Sequence, residues 1–256
     1  MDNIKLYHGD CLEVMKSIPD KSVDCVIADL PYYKVVKADW DNSWNSENDY
    51  LSWVKDIVLE YKRILKENAS LLLFTGRQYN RKICFILDEF FEERRIIIWN
   101  RKRAFNNTRG KALASSYEPI CYYTIGNPTF NNIKIQSMSK RKEYTTGVLK
   151  DGVSLSDVWS DISALPHNSK EKVAHPTQKP LALMERCVKM ITNEGEIVLD
   201  NCMGSGSTGV ACVNANRKFI GIEKDEQYFQ LAKERIETAL SSHNDTIIEK
   251  HSLCNL

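Results

Sequence analysis

The 256-residue chain has little of what marks several protein classes. No run of about 18 apolar residues occurs, which argues against a membrane-spanning helix. The opening Met1-Asp2-Asn3-Ile4-Lys5 has no apolar core of a secretory leader, so a cytoplasmic setting is expected. With 11 glycines and 7 prolines, the chain is too poor in both to be collagenous or of low complexity. An excess of one charge is missing too: 35 Lys and Arg face 34 Asp and Glu, and a net charge of +1 excludes coating nucleic acid or membrane by charge alone. Eight cysteines, at positions 11, 25, 84, 121, 187, 202, 212 and 254, contain no Cys-x-x-Cys pair, and the five histidines form no cluster with them. Neither a metal site nor a disulfide framework is therefore expected. Cys25, inside Val23-Asp24-Cys25-Val26-Ile27, reads as a reduced thiol acting as a small hydrophobe.

What is present is 43% hydrophobic residues, enough for one large or two small globular domains. Short apolar runs suited to buried strands recur at Ser22–Ala28, Leu71–Thr75, Arg95–Trp99, Ile120–Thr124, Ile197–Leu199 and Phe219–Ile222. Between most of them lie helical patterns. Tyr50, Leu51, Val54, Ile57, Val58, Tyr61, Ile64 and Leu65 form one apolar stripe; Tyr228, Phe229, Leu231, Ala232, Ile236, Ala239 and Leu240 form another behind a cap at Asp225. This alternation predicts an α/β fold with a largely parallel sheet covered on both faces. The polar stretch from about Asn127 to Lys172 breaks the pattern and reads as an inserted small domain or long loop. Near-neutrality also hides an asymmetry: from Arg94 to Lys150 twelve basic residues face only Glu118 and Glu143, which leaves the rest of the chain acidic.

Two segments carry chemistry. Glu196-Ile197-Val198-Leu199-Asp200-Asn201-Cys202-Met203-Gly204-Ser205-Gly206-Ser207-Thr208-Gly209 reads as strand, glycine turn and helix, a device that points helix N-terminal amides at a ligand. Glu223, ending the next apolar run, can accept both hydroxyls of a ribose. A tight turn without a ligand is the bland alternative. An NAD-dependent oxidoreductase is another, since Gly204-x-Gly206-x-x-Gly209 meets the dinucleotide pattern, but only 47 residues follow Gly209, too few for the rest of a two-half dinucleotide fold. The second segment is Asp29-Leu30-Pro31-Tyr32, at the end of the strand-like run Val23–Ala28. Ligands in open α/β sheets bind beyond the carboxyl ends of strands, so Asp29 and Tyr32 should face the same crevice as the glycine loop.

Together these segments resemble the amino-methyltransferases of DNA, in particular their beta group, in which the catalytic motif precedes the cofactor motif. Further matches are His8-Gly9-Asp10-Cys11, His175-Pro176-Thr177-Gln178-Lys179-Pro180 and Phe219-Ile220-Gly221-Ile222-Glu223, so the resemblance spans about residues 4 to 236. Three positions depart from the family: Leu30 replaces a proline, Asn201 a proline and Cys202 a phenylalanine.

The resemblance implies a Rossmann-like, S-adenosylmethionine-dependent methyltransferase fold, circularly permuted. It would comprise a catalytic half (1–126), a target-recognition insertion (127–172) and a cofactor half (173–256). The implied reaction is methylation of the N6 amine of adenine in DNA, because an aspartate at the first motif position goes mostly with adenine. Cytosine-N4 methylation, or a catalytically inert DNA-binding protein, remain alternatives. Asp29, Leu30, Pro31 and Tyr32 would form the catalytic site. Asp10, Cys11, Asp29, Thr177, Lys179, Asp200, Cys202, Gly204, Ser205, Gly206, Ser207 and Glu223 would hold the cofactor; Asp10 reads equally well as a helix cap, and Pro176 and Pro180 as the frame of a helix start. His175 reads as structural rather than as a base. Arg101, Lys102, Arg103, Arg109, Lys111, Lys140, Arg141 and Lys142 would face DNA, with a solvated charged surface as the alternative. No metal or membrane is expected, and members of the family are often dimers.

Overall fold

Strand β2 (Val23–Asp29) alternates its apolar residues between two cores, Cys25 and Ile27 on one side and Val26 and Ala28 on the other, all fully buried. Burial on both faces is what a central strand of a helix-covered sheet requires. The computed structural model describes residues 3–35, 37, 39–105, 113–135 and 152–253.

The remaining elements are β1 (Ile4–His8), α1 (Cys11–Met15), α2 (Glu47–Ile64), β3 (Leu65–Phe74), α3 (Asn80–Asp88), β4 (Glu92–Phe105), β5 (Ser115–Ile125), β6 (Lys134–Ile135), β7 (Val153–Ser154), β8 (Val158–Trp159), α4 (Leu181–Ile191), β9 (Ile197–Asp200), α5 (Ser207–Asn214), β10 (Lys218–Glu223) and α6 (Glu226–Leu253). Eight strands form one sheet in the order β1-β10-β9-β2-β3-β5-β4-β8, with β5 antiparallel to both its neighbours and the other pairings parallel. The doubly wound sheet expected from the alternating pattern is present, and its permutation is visible in the strand order. From β9 the chain crosses through α5 to β10 on one side; from β2 it crosses through α2 to β3 on the other. The strand order therefore reverses between β9 and β2, whose Val198 and Leu199 pair with Cys25 and Val26. Such a switch point opens a crevice at the carboxyl ends of the two strands.

Helix α2 starts at a capping box, in which Ser46 and Asp49 exchange side-chain-to-backbone hydrogen bonds of 3.1 Å. It buries Tyr50, Val54, Ile57, Val58, Tyr61 and Ile64 against the core shared with α1 and α3, the larger aliphatics each contributing about 1.5–3 kcal/mol. Helices α4, α5 and the first turns of α6 cover the opposite face.

Part of the polar stretch from 127 to 172 joins the main sheet. β8 extends its edge beside β4, and Trp159, 2% exposed, enters the core under the Arg186 guanidinium. The Trp99 indole N–H donates to the Ile162 carbonyl at 2.8 Å, fastening the segment that follows. Among the described residues no helix is long and apolar enough to cross a membrane, and no group of three or more His, Cys, Asp or Glu side chains is placed to hold a metal.

Candidate active site

Strands β2 and β9 end side by side, which places Asp29 and Asp200 on the rim of a single cleft of about 1270 Å³. That exceeds the usual volume for one small ligand. The described cleft lining includes Asp10, Cys11, Asp29 to Tyr32, Thr177, Lys179, Asp200, Cys202, Gly204, Ser205, Ser207 and Glu223, so every expected catalytic and cofactor residue except Gly206 converges there. Gly206 sits one layer back, at the N-cap of α5 with φ +75°, where an added Cβ would lie 2.9 Å from the Ala232 Cβ.

The glycine loop is tied to its acid. Gly204, at φ +49°, donates its N–H to Glu223 Oε2 at 2.9 Å, while Lys224 and Asp225 donate theirs to Oε1. Burial raises the Glu223 carboxyl above its ordinary value, and the three amides work against that shift. Asp200 accepts from the Thr208 hydroxyl at 2.5 Å and from the Cys202 N–H at 3.1 Å, yet burial pushes it up to about 7. Asp10 both caps α1, accepting the Leu12 N–H at 3.0 Å, and faces the cleft; its second oxygen meets Lys224 at 3.1 Å. The two readings of Asp10 are therefore compatible.

The fit to a nucleoside cofactor rests on this cradle. A Cβ at Gly204 would come within 2.8 Å of His175 Nε2, so only glycine lets the loop pass that close. The buried His175 Nδ1 and Asn201 Nδ2 have no hydrogen-bond partner among the described residues, polar atoms left for a ligand. Asn201, where the family has proline, is oriented by the Tyr61 hydroxyl, which donates to its Oδ1 at 2.5 Å. His175 packs edge-on against Tyr228, and burial, followed by the charges of Lys179, Lys172 and Arg235, lowers it to about 4. It is a neutral, weak base at pH 7.

At the end of β2, the Tyr32 hydroxyl donates to Asp29 Oδ1 at 2.6 Å and Lys179 Nζ lies 2.5 Å from Asp29 Oδ2. Burial raises the Asp29 carboxyl, against the pull of Lys179. Burial pulls Lys179 down, but the Asp29 and Glu118 carboxylates together hold it above its ordinary value. The loop beyond is pinned by buried Asp41, whose two oxygens accept the Tyr32 and Val35 N–H groups at 2.6 Å each. Two consecutive residues there, Tyr33 and Lys34, take positive φ angles of 53° and 60°, a strained path that the Asp41 clamp holds in place. Gly76, after β3, lies against Tyr32, and a Cβ there would meet the Tyr32 Cβ at 3.0 Å.

Lys179, expected among the cofactor residues, lines the cleft and reaches to Asp29, another residue of that set. One expectation needs revision. Arg101, expected on a DNA-facing surface, turns inward: its side chain is 13% exposed, pairs with Glu118 at 3.1 Å and donates to the Ser115 carbonyl at 2.9 Å. The reason is strand alternation, since Arg101 shares a face with Ile97 and Trp99. Lys102 is exposed at φ +57°, and Arg103 continues β4. Arg109, Lys111, Lys140, Arg141 and Lys142 lie outside the described residues. Glu118, Asp41 and Gly76 were not singled out in the sequence. Glu118 did leave a signal, being one of two acids in the basic stretch.

The sequence profile of the N6/N4 DNA methylase family matches residues 23–234, which contain both motifs and the sheet between them. The chain belongs to this family. S-Adenosyl-L-methionine is its cofactor, and the methyl donor is bound in the same fold by a solved relative, the M1.HpyAVI complex. That structure is 28% identical, with a TM-score of 0.62, over 91% of this chain and 99% of the other. Among curated proteins, Type II methyltransferase M.HpaI of Haemophilus parainfluenzae is 30% identical over 98% of this chain and 79% of its own length. DNA adenine methyltransferase YhdJ of Escherichia coli K12 is 30% identical over 91% and 83%. The cytosine-N4-specific PvuII DNA methyltransferase shares the fold, with a TM-score of 0.72 at 20% identity over 94% and 92%.

Proposed function

We propose that this DNA methylase modifies the N6 amine of adenine, with Asp29 and the Leu30 carbonyl accepting the two amine hydrogens. The observation that carries the reading is the Asp29 carboxylate, set in the same cleft as the glycine loop and oriented from two sides by Tyr32 and Lys179. An adenine amine is a poor nucleophile because its lone pair is delocalised into the ring. An acceptor pair that holds both hydrogens localises that lone pair toward the donor, and a carboxylate then sits beside the positive charge that develops on nitrogen. The name of YhdJ, a DNA adenine methyltransferase, points the same way.

When bound, S-adenosylmethionine supplies an activated methyl group. Glu223 would hold its ribose, Asp10 its adenine, and the loop from Asp200 to Ser207 its methionine portion. The Tyr32 ring would stack on a base taken out of the duplex, offsetting an unstacking cost of about a few kcal/mol. The proton released from the methylated amine would pass to solvent, a step that needs no dedicated base. Residues 127–172 are proposed as the target-recognition region between the halves 1–126 and 173–256, with Lys102, Arg103 and the basic residues beyond them toward the phosphates. Digesting DNA methylated by the pure protein and separating its nucleosides tests the base: N6-methyldeoxyadenosine is expected, and N4-methyldeoxycytidine in its place would overturn the assignment.

A further inference from the structure

Each oxygen of Asp29 already has a donor: Tyr32 holds Oδ1 at 2.6 Å and Lys179 holds Oδ2 at 2.5 Å. A carboxylate oxygen can accept a second hydrogen bond, but an amine hydrogen at Oδ2 would share it with a cation that draws off its charge. A second carboxylate stands within reach of both donors. Glu118 Oε2, on β5, is 3.4 Å from Lys179 Nζ and 3.4 Å from the Tyr32 hydroxyl. The other Glu118 oxygen is anchored by Arg101, itself bonded to the Ser115 carbonyl. All four charged side chains are buried or nearly so, with exposures of 6% for Lys179, 14% for Glu118, 13% for Arg101 and 22% for Asp29.

We propose that Glu118 is a positioning residue that draws Lys179 away from Asp29 when the target base enters, freeing Asp29 Oδ2 for the amine. The inference rests on the reading that Asp29 accepts the amine. The charge count makes the exchange feasible. Two cations and two anions occupy the cluster, so Lys179 passes from one carboxylate to the other without itself losing an anionic partner, while Asp29 keeps the Tyr32 hydroxyl bond and gains the amine. A shift of Nζ by about an ångström exchanges a 2.5 Å contact for a 3.4 Å one. Arg101 holds Glu118 in place during the exchange. After it, Asp29 keeps its charge for the nitrogen that becomes cationic, and Lys179 is neutralised elsewhere.

A double-mutant cycle tests this. Single-turnover methyl transfer to duplex DNA is measured for the wild-type chain, Glu118→Gln, Lys179→Met and the double variant, with calorimetric titration of S-adenosylmethionine for each. Glu118→Gln is expected to slow methyl transfer by roughly 10- to 100-fold and to leave cofactor affinity within about twofold. In the Lys179→Met background there is no lysine to withdraw, and the same Glu118→Gln change is expected to alter the rate by less than about twofold. Equal losses in the two backgrounds overturn the proposal. Should the Lys179 variants not fold, Glu118→Asp decides: it keeps the charge and is expected to retain at least about five times the rate of Glu118→Gln, and equal rates overturn the inference. Asp29→Ala separates this outcome from failure of the underlying reading, because undiminished turnover in that variant would remove Asp29 from the reaction whatever Glu118 does.

Discussion

The Gly204 amide donates to the Glu223 carboxylate at 2.9 Å, so the loop that would receive the methionine portion of the cofactor and the acid that would receive its ribose are one hydrogen-bonded unit. Glu223→Ala should then do more than delete one ligand contact. It leaves the Gly204, Lys224 and Asp225 amides without their acceptor and loosens the loop. Cofactor affinity is expected to fall by about tenfold or more by titration calorimetry, and unchanged affinity would refute the assignment.

Asp29→Ala is expected to reduce methyl transfer by about 10²- to 10³-fold or more while cofactor affinity stays within a few-fold. Breaking a buried ion pair ordinarily costs about 3–5 kcal/mol. Here Glu118, 3.4 Å from Lys179, remains to neutralise the lysine, so the stability loss in a denaturant titration should fall at or below the low end of that range.

Two groups of the cleft pull the pH dependence of stability in opposite directions. Asp200 is raised from its ordinary 3.8 to about 7, so the stability it contributes is full below pH 3.8 and is lost as pH rises through about 7. His175 is lowered from 6.5 to about 4, so its contribution is full above pH 6.5 and is lost as pH falls through about 4. Between about pH 4 and 6.5 the two slopes, each about 1.4 kcal/mol per pH unit at most, should nearly cancel. Asp200→Asn should expose a stability that falls with acid, and His175→Gln one that rises with acid. Denaturant midpoints across that window for the two variants would show the slopes, and identical profiles would contradict the account.

Gly206→Ala should destabilise the protein by about 1–3 kcal/mol, because φ is +75° and the new Cβ would meet the Ala232 Cβ at 2.9 Å and Cα at 3.0 Å. Backbone on the facing helix cannot turn aside as a side-chain tip can. A thermal melt within a degree of wild type would argue against so tight a contact.

The two neighbours Arg101 and Lys102 should separate cleanly. Lys102→Ala is expected to weaken DNA binding across sequences and to lower the slope of log affinity against log salt by about 1. Arg101→Ala, which removes the anchor of Glu118, should leave that slope unchanged and reduce turnover. Binding isotherms at several salt concentrations distinguish them.

Much of the fold was legible in the chain itself. The stripe from Tyr50 to Ile64 became α2, the strand-like runs became β2, β3, β4, β5, β9 and β10, and the order of the two motifs matched the permuted sheet. Each of these depends on local periodicity or on residues adjacent in sequence. Strand β1 and helix α3 leave no comparable signal in the sequence. β1 spans only Ile4–His8 at a sheet edge with mostly exposed side chains, and α3 spans nine residues without a side-chain cap. Arg101 shows a subtler limit. Its parity with Ile97 and Trp99 was available, but its place in a run of three basic residues suggested a charged surface instead.

The sequence by itself determined the chemistry on offer: a carboxylate, a backbone carbonyl and an aromatic at one strand end, a glycine turn with an acid beyond it at another. Only the tertiary structure decided which charges answer one another. Lys179 meets Asp29 across 150 residues of chain, and Glu118 joins them from β5, the one antiparallel strand of the main sheet. The physical reason is that local sequence specifies periodicity, turns and caps, whereas the pairing of buried charges depends on which strands lie side by side. In this molecule the reversal of strand order between β9 and β2 makes that choice.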